Sequence, residues 1–312
     1  MKKYLLKLVL TAIFVNSSIL LGCGFCNQQD YQYKVTLVKD SGNPNYKVEN
    51  MKSILGEKEL VKIVKKYDKH HEYFMADIYE KGDQKGVKNL TYKAGFHSHT
   101  TASDGSMTPL EALNQAAEYG NKVKAKHPFE KYPIILAYTD HYHTNGCKEA
   151  IDILQKNPKK YKNVKVLLGM ETASTTHLPS DNKDGSNIHI LLWAINPYAP
   201  QMTEMNFLPD YKDTVKHAQA LRYGIVGIAH PLRYFMRNGR SDEQVKVLIT
   251  ELFDEYAALK NDKIQFTEGY YQPYRFDVSE DLYLFTQNEA RKHGIYLTGS
   301  HDSHGKSIFQ NQ

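Results

Sequence analysis

From about residue 89 onward, apolar runs of strand length alternate with segments of helical period. The runs lie at 90–96, 134–138, 164–170, 188–195, 225–229, 264–267 and 295–298. Between them, the spacing of apolar residues predicts helices at 148–155, 211–223, 242–259 and 279–293. One more helix opens on Thr108-Pro109-Leu110-Glu111, a capping box with proline at the first helical position. Leu110, Leu113, Ala116 and Ala117 give it an apolar face, and Gly120 is placed to end it. Gly224 and Gly294 stand just past two of the other helices, where C-terminal caps belong. Strands joined by helices imply a parallel sheet and an α/β fold. The segment 172–187 is the exception and reads as a polar loop without a helix.

Residues 27 to about 88 lack this alternation. They are polar and lysine-rich, with a turn at Ser41-Gly42-Asn43-Pro44 and one short amphipathic helix at 58–67. Leu60, Ile63 and Val64 form the apolar face of that helix. This region reads as a tether with a small decoration. The chain therefore divides into 1–22, 23–88 and 89–312, with no internal repeat.

The first segment changes the picture of where the chain works. Lys2, Lys3 and Lys7 precede an apolar stretch over 8–21 that ends in Leu20-Leu21-Gly22-Cys23. The stretch falls short of the roughly 20 apolar residues a spanning helix needs. It resembles a bacterial lipoprotein signal, which implies removal of the leader and lipidation of Cys23. The competing reading is an uncleaved N-terminal anchor. Either way the remainder is expected outside the cytoplasm, held to a membrane. Without the three leader lysines, the formal net charge drops from +5 to +2. A nearly neutral mature chain argues against a broad face for long nucleic acid. Cys26 and Cys147 remain in a compartment where disulfides form, but their spacing does not say whether they pair.

The candidate chemistry gathers at the ends of the strands. His97, His99 and Asp104 follow the first run, and Asp140 and His141 follow the second. Glu171 ends the third, His189 lies in the fourth, and His230 follows the fifth. Glu268 ends the sixth, and Asp302 and His304 follow the seventh. Barrels of parallel strands carry their chemistry at the C-terminal strand ends. His97-x-His99 puts two imidazoles on one side of an extended chain, and Asp302-x-His304 repeats the spacing. Mixed imidazole and carboxylate donors suit zinc, manganese or iron better than calcium.

These residues resemble the PHP family, named for polymerase and histidinol phosphatase. The matching motifs run in the family's order over residues 96–304. They are Phe96-His97-Ser98-His99-Thr100-Thr101-Ala102-Ser103-Asp104-Gly105, Tyr138-Thr139-Asp140-His141, Gly169-Met170-Glu171, Ile188-His189-Ile190-Leu191, Ala229-His230-Pro231 and Gly299-Ser300-His301-Asp302-Ser303-His304. The resemblance implies a distorted, TIM-like (β/α)7 barrel with an N-terminal extension and two to three divalent transition-metal ions. His97, His99, Glu171 and Asp302 would hold the first ion, and Glu171, His189 and His230 the second. Asp104, His141 and His304 would hold the third. Asp140 would stand behind them, fixing the tautomer of an imidazole. Glu171, Asp302, His304 and Asp140 are the expected catalytic set. The chain departs from the family in carrying His301 between Ser300 and Asp302, and in stopping soon after His304.

The resemblance further implies hydrolysis of phosphate esters by a metal-bridging hydroxide, with a small phosphomonoester such as a nucleotide or sugar phosphate as substrate. An exonuclease on short oligonucleotides and a non-catalytic metal- or ligand-binding surface lipoprotein are the competing readings. Arg233 either grips a phosphate or is a surface arginine at a helix start; the residues alone leave both open. Arg237 and Arg240 are weaker candidates for the same work. Glu268 is expected to orient neighbours. His127, His143 and His177 read as loop histidines, Trp193 as packing, and Tyr270 and Tyr271 as rim or core residues.

Overall fold

The computed structural model of the protein describes residues 51–69, 75–76, 91–92, 94–181, 185–199, 202, 210–220, 225–236, 239–259, 264–269, 278–299 and 302–306. The leader, Cys23, Cys26, the turn at 41–44, Gly224, Arg237, Tyr270, Tyr271 and His301 lie outside the described residues. In chain order the elements are α1 (Glu57–Lys69), β1 (Met75–Ala76), β2 (Thr91–Tyr92), β3 (Ala94–Gly95), α2 (Pro109–Lys126), β4 (Ile134–Tyr138), α3 (Asn145–Lys156), β5 (Val164–Thr176) and β6 (Ser186–Trp193). They continue as α4 (Tyr211–Ala220), β7 (Ile225–Ala229), α5 (Pro231–Met236), α6 (Asp242–Ala258), β8 (Gln265–Glu268), α7 (Glu280–Lys292) and β9 (Tyr296–Thr298).

Strands β3 to β9 form one sheet in sequential order. Neighbours are parallel except around β6, which runs antiparallel to both β5 and β7. The first and last strands meet just beyond their C-terminal ends, through a parallel bridge between Ser98 and Ser303. There the His99 N–H donates to Ser303 O at 2.9 Å. The sheet is thereby curled into a distorted seven-stranded barrel, the α/β architecture expected.

The polar loop expected at 172–187 is a correction. Residues 172–176 extend β5 and pair with the start of β6, Thr172 opposite Ile190 and Thr176 opposite Ser186. Their hydroxyls make a strand possible inside the protein: Ser174 and Thr214 share a hydrogen bond of 2.7 Å, and Thr176 donates to Ser186 O. A hairpin needs no crossover helix, which is why β6 reverses direction. The first apolar run also divides, with β2 pairing to β1 in a separate two-stranded sheet while β3 joins the barrel.

Alternate residues of each strand point to opposite faces, so the apolar side chains form two layers. Leu136, Val166 and Ile228 face outward, under helix residues such as Leu113, Ile151 and Ile249. Ile135, Ala137, Leu167, Leu191, Trp193 and Phe266 fill the barrel interior. Trp193 is the packing residue expected, stacked on Phe266 with ring centroids 3.7 Å apart. The amphipathic helix read as a decoration is present as α1 but has a larger role. Leu60, Ile63, Val64 and Tyr67 enter the same interior layer, and Tyr67 meets Phe96 edge-on at 5.2 Å.

Thr108 and Glu111 form the capping box of α2. That helix does not stop at Gly120 but runs on to Lys126. The glycine serves a close approach instead, since a Cβ there would stand 2.6 Å from Asn163 O. Gly294, with φ +70°, does occupy the cap position after α7.

Candidate metal centre

The inward face of the barrel is apolar through its middle and polar at the C-terminal strand ends. On β5, Leu167 packs inside, and Glu171, two inward positions further on, reaches the site. On β8, Phe266 is followed two residues later by Glu268. On β6 the order is inverted: His189 comes first and Leu191 and Trp193 follow. The reversal of β6 puts the first half of that strand level with the last residues of its neighbours. His189 therefore faces the site from inside a strand rather than from its end.

Glu171 is fully buried and sits at the centre. Its Oε1 meets His189 Nδ1 at 2.7 Å and His230 Nε2 at 3.2 Å. Its Oε2 lies 3.0 Å from His97 Nε2, 3.1 Å from His99 Nε2 and 3.2 Å from His141 Nδ1. His97 Nε2 and His99 Nε2 are themselves 2.9 Å apart. Asp302 Oδ1 stands 3.4 Å from the first and 3.2 Å from the second. Four donor atoms, from His97, His99, Glu171 and Asp302, thus crowd around one point. Metal–ligand bonds of about 2.0–2.2 Å in a tetrahedron would set such atoms roughly 3.3–3.6 Å apart, so the spacing is near that of a ligand shell.

A further group forms at the rim. Asp104 Oδ2 lies 3.2 Å from His304 Nε2 and 3.8 Å from His141 Nε2, and Asp104 Oδ1 lies 3.6 Å from His99 Nδ1. His304 Nδ1 donates to Asp302 O at 2.9 Å, which leaves Nε2 as the lone-pair nitrogen aimed at Asp104. Donor atoms converge in three sets: His99, Asp104, His141 and His304; His97, Glu171, His230 and Asp302; and His141, Glu171 and His189. Every candidate ligand is in at least one set. The groupings differ from those expected in detail, with His99 in the rim set and His141 and Glu171 each belonging to two sets.

The charges in the cluster act strongly on one another. Burial would raise Glu171 and Asp302, but the surrounding imidazoles, His97 foremost, hold both carboxyls well below their usual range. Burial pushes His97 and His99 down, yet the Glu171 and Asp302 carboxylates outweigh it. They hold His97 well above the usual imidazole value and His99 at about 9. Burial wins at His141, lowered to about 4, and at His230, also lowered. Glu171 Oε2, His99 Nδ1 and His141 Nδ1 are buried without a hydrogen bond. Glu171 Oε2 and these two imidazole nitrogens converge with further carboxylate and imidazole donors, as ligand atoms around a cation would. This donor set fits borderline divalent metals.

Supporting residues hold the cluster. Glu268 Oε1 accepts from His97 Nδ1 at 3.1 Å, and its Oε2 accepts the His230 N–H at 2.9 Å. The orienting role expected of Glu268 is the one it has. Asp140 departs from expectation, because it holds a loop rather than an imidazole. Its carboxylate accepts from the Thr100 N–H at 2.6 Å, the Thr100 hydroxyl and the Ser103 hydroxyl. It thereby fixes the turn that carries Asp104. Gly146 makes room for this, since a Cβ there would come within 2.1 Å of Asp140 Oδ2. Arg233 reaches the site through Asp302, its guanidinium donating to Oδ2 at 2.6 Å. His230 and Asp302 have φ of +24° and +45°, a strain of about 1–3 kcal/mol each that clusters at functional positions.

Arg240 belongs elsewhere, paired with Asp181. His127, His143 and His177 are exposed. Cys147 is a buried free thiol in the first turn of α3, donating to Gly169 O at 3.2 Å. Reading the residues missed Tyr234, whose ring centroid lies 4.8 Å from that of His189 and 5.3 Å from that of His230. The sole signal for it was its place one turn after His230.

No family model and no curated relative matches the chain. Solved structures do resemble it. An amidohydrolase from Chromobacterium violaceum aligns with TM-score 0.48 and 19% identity, over 70% of this chain and 91% of that one. A protein from Bifidobacterium adolescentis described as a metal-dependent phosphoesterase aligns with TM-score 0.44 and 16% identity, over 70% and 92%. The motifs that resemble the PHP family are carried on a distorted seven-stranded barrel, with their ligand-type side chains gathered at one end.

Proposed function

We propose that the protein is a metal-dependent phosphoesterase acting on small phosphomonoesters. The observation that carries the reading is the central Glu171. One of its oxygens lies among His97, His99 and Asp302, and the other lies between His189 and His230. A carboxylate so placed can be shared by two cations. When bound, divalent ions here supply Lewis-acid chemistry, lowering the pKa of water and neutralising phosphoryl oxygens.

The chain's own residues set the rest. Glu268 and the Asp302 carbonyl fix the imidazoles of His97 and His304 in orientation. Asp104 and His304 form the solvent-facing side of the cluster, with side chains 56% and 24% exposed, while Glu171 and His97 are sealed. A phosphate entering from that side meets the rim group first. Arg233 is one-fifth exposed beside Asp302, a position from which a guanidinium can donate to a phosphoryl oxygen.

The test is metal content and turnover on one preparation. The protein should hold two to three equivalents of transition metal and should hydrolyse nucleoside or sugar monophosphates faster than short oligonucleotides. Glu171→Gln keeps the side-chain size but loses the charge. It should lose metal and at least about 100-fold in turnover. Less than one equivalent after supplementation would sink the reading. Faster turnover of oligonucleotides would make the protein an exonuclease, and full metal content with no hydrolysis would make it a binding protein.

A further inference from the structure

The barrel end opposite the metal cluster is basic, although the whole chain is nearly balanced. Residues 52–69, 120–133 and 156–165 carry fifteen lysines against four acidic side chains, in a chain with 40 basic and 35 acidic residues. These segments are brought together by the fold. The loops after α2 and α3 both lead into the N-terminal ends of strands, β4 and β5. Asn163, in the loop after α3, donates to Asn121 in the last turns of α2 at 2.8 Å. Lys131 pairs with Glu59 of α1 at 3.5 Å, which ties the helix to the same end.

The lysines point outward. Helix α1 buries Leu60, Ile63, Val64 and Tyr67. Its opposite stripe, Lys58, Lys62, Lys65 and Lys69, is exposed at helical spacing. Lys159, Lys160 and Lys162 are exposed in the loop after α3. Phe129, 98% exposed, stands at the tip of the loop after α2, with Pro128 beside it and Lys126 and Lys131 flanking it. A benzyl group held wholly in water on a short lysine-rich loop has no role in the core.

We propose that this end is a contact surface for an anionic lipid bilayer, with Phe129 entering the headgroup region and the lysines lying over it. Lysines near a charged leaflet attract through the surface potential, and an aromatic side chain adds burial at the interface. Nucleic acid would use the lysines equally, but a lone apolar tip favours a lipid interface. The consequence is orientation: the phosphoesterase cluster faces away from the membrane.

The experiment uses the chain from Asp40, which includes the whole compact unit of residues 40–312 and lacks the apolar leader. It is sedimented with vesicles of phosphatidylcholine alone and with vesicles containing about a third phosphatidylserine. Binding is expected to the anionic vesicles only, and to weaken steeply with salt. Phe129→Ser and the triple change Lys159→Ser, Lys160→Ser, Lys162→Ser should each reduce it about tenfold, with unchanged melting temperature and metal content. Equal binding to both vesicle types, no binding, or indifference to both variants would overturn the proposal. So would tighter binding to a short DNA duplex than to the anionic vesicles, which would make the face a nucleic-acid surface.

Discussion

At the residue scale, carboxylates do two kinds of work. Glu171 and Asp302 carry lone pairs into the cluster, whereas Glu268 and Asp140 hold other groups still. Glu268 grips both the His97 ring and the His230 backbone. Glu268→Gln keeps an acceptor for the His230 N–H but loses the negative charge behind His97. Outer partners of this kind are worth about 10–100-fold in metal affinity. The variant should therefore remain folded, bind the central ions about 10–100-fold more weakly, and recover turnover at high metal concentration. A loss that no added metal restores would mean that Glu268 acts on the substrate instead. The orienting role could be expected from Glu268 at a strand end. The role of Asp140 could not, because Thr100 and Ser103 reach it only when the loop after β3 folds back over α3.

At the scale of elements, α1 and β6 changed most between pattern and fold. The pattern located α1 correctly and revealed its apolar face, but helical period does not say what that face meets. It meets the barrel interior, where Leu60 is fully buried. Leu60→Ala leaves a cavity in that layer and should cost about 2–5 kcal/mol, measured by denaturant unfolding. An effect within about 0.5 kcal/mol would return α1 to the surface. Strand β6 was legible as a strand from its apolar run, but its direction was not. The threonines and Ser174 over 172–176 look like loop until Thr176 finds a partner on β6 and Ser174 one on α4.

At the scale of the whole molecule, the metal cluster joins the two ends of the sheet. His97 and His99 flank Ser98 and Asp302 and His304 flank Ser303, where the barrel closes. Ions held by all four would clamp that seam and bind only the folded chain. At a free metal concentration of 100 times Kd, such linkage contributes about 2.7 kcal/mol. Chelation should thus lower the melting temperature by about 5–10 °C in a domain of this size, and readdition of metal should restore it. A melting temperature indifferent to chelator would place the ligands outside any stabilising site.

The sequence by itself determined the α/β alternation, the seven strands near their true positions, and the ligand-type side chains of the candidate metal centre, though not Tyr234 beside them. It could do so because apolar period and residue type are local properties, and because ligand-type residues recur at the strand ends. Only the tertiary structure decided how those side chains group. His99 joins the rim set, and His141 and Glu171 each belong to two sets, because imidazoles from four strands converge on one carboxylate. The tertiary structure also decided that Asp140 fixes a loop, that Arg233 reaches the site through Asp302, and that α1 plugs the barrel. It gathered scattered lysines onto one end of a nearly neutral chain. Each of these depends on contacts between residues distant in sequence, which neither period nor composition encodes.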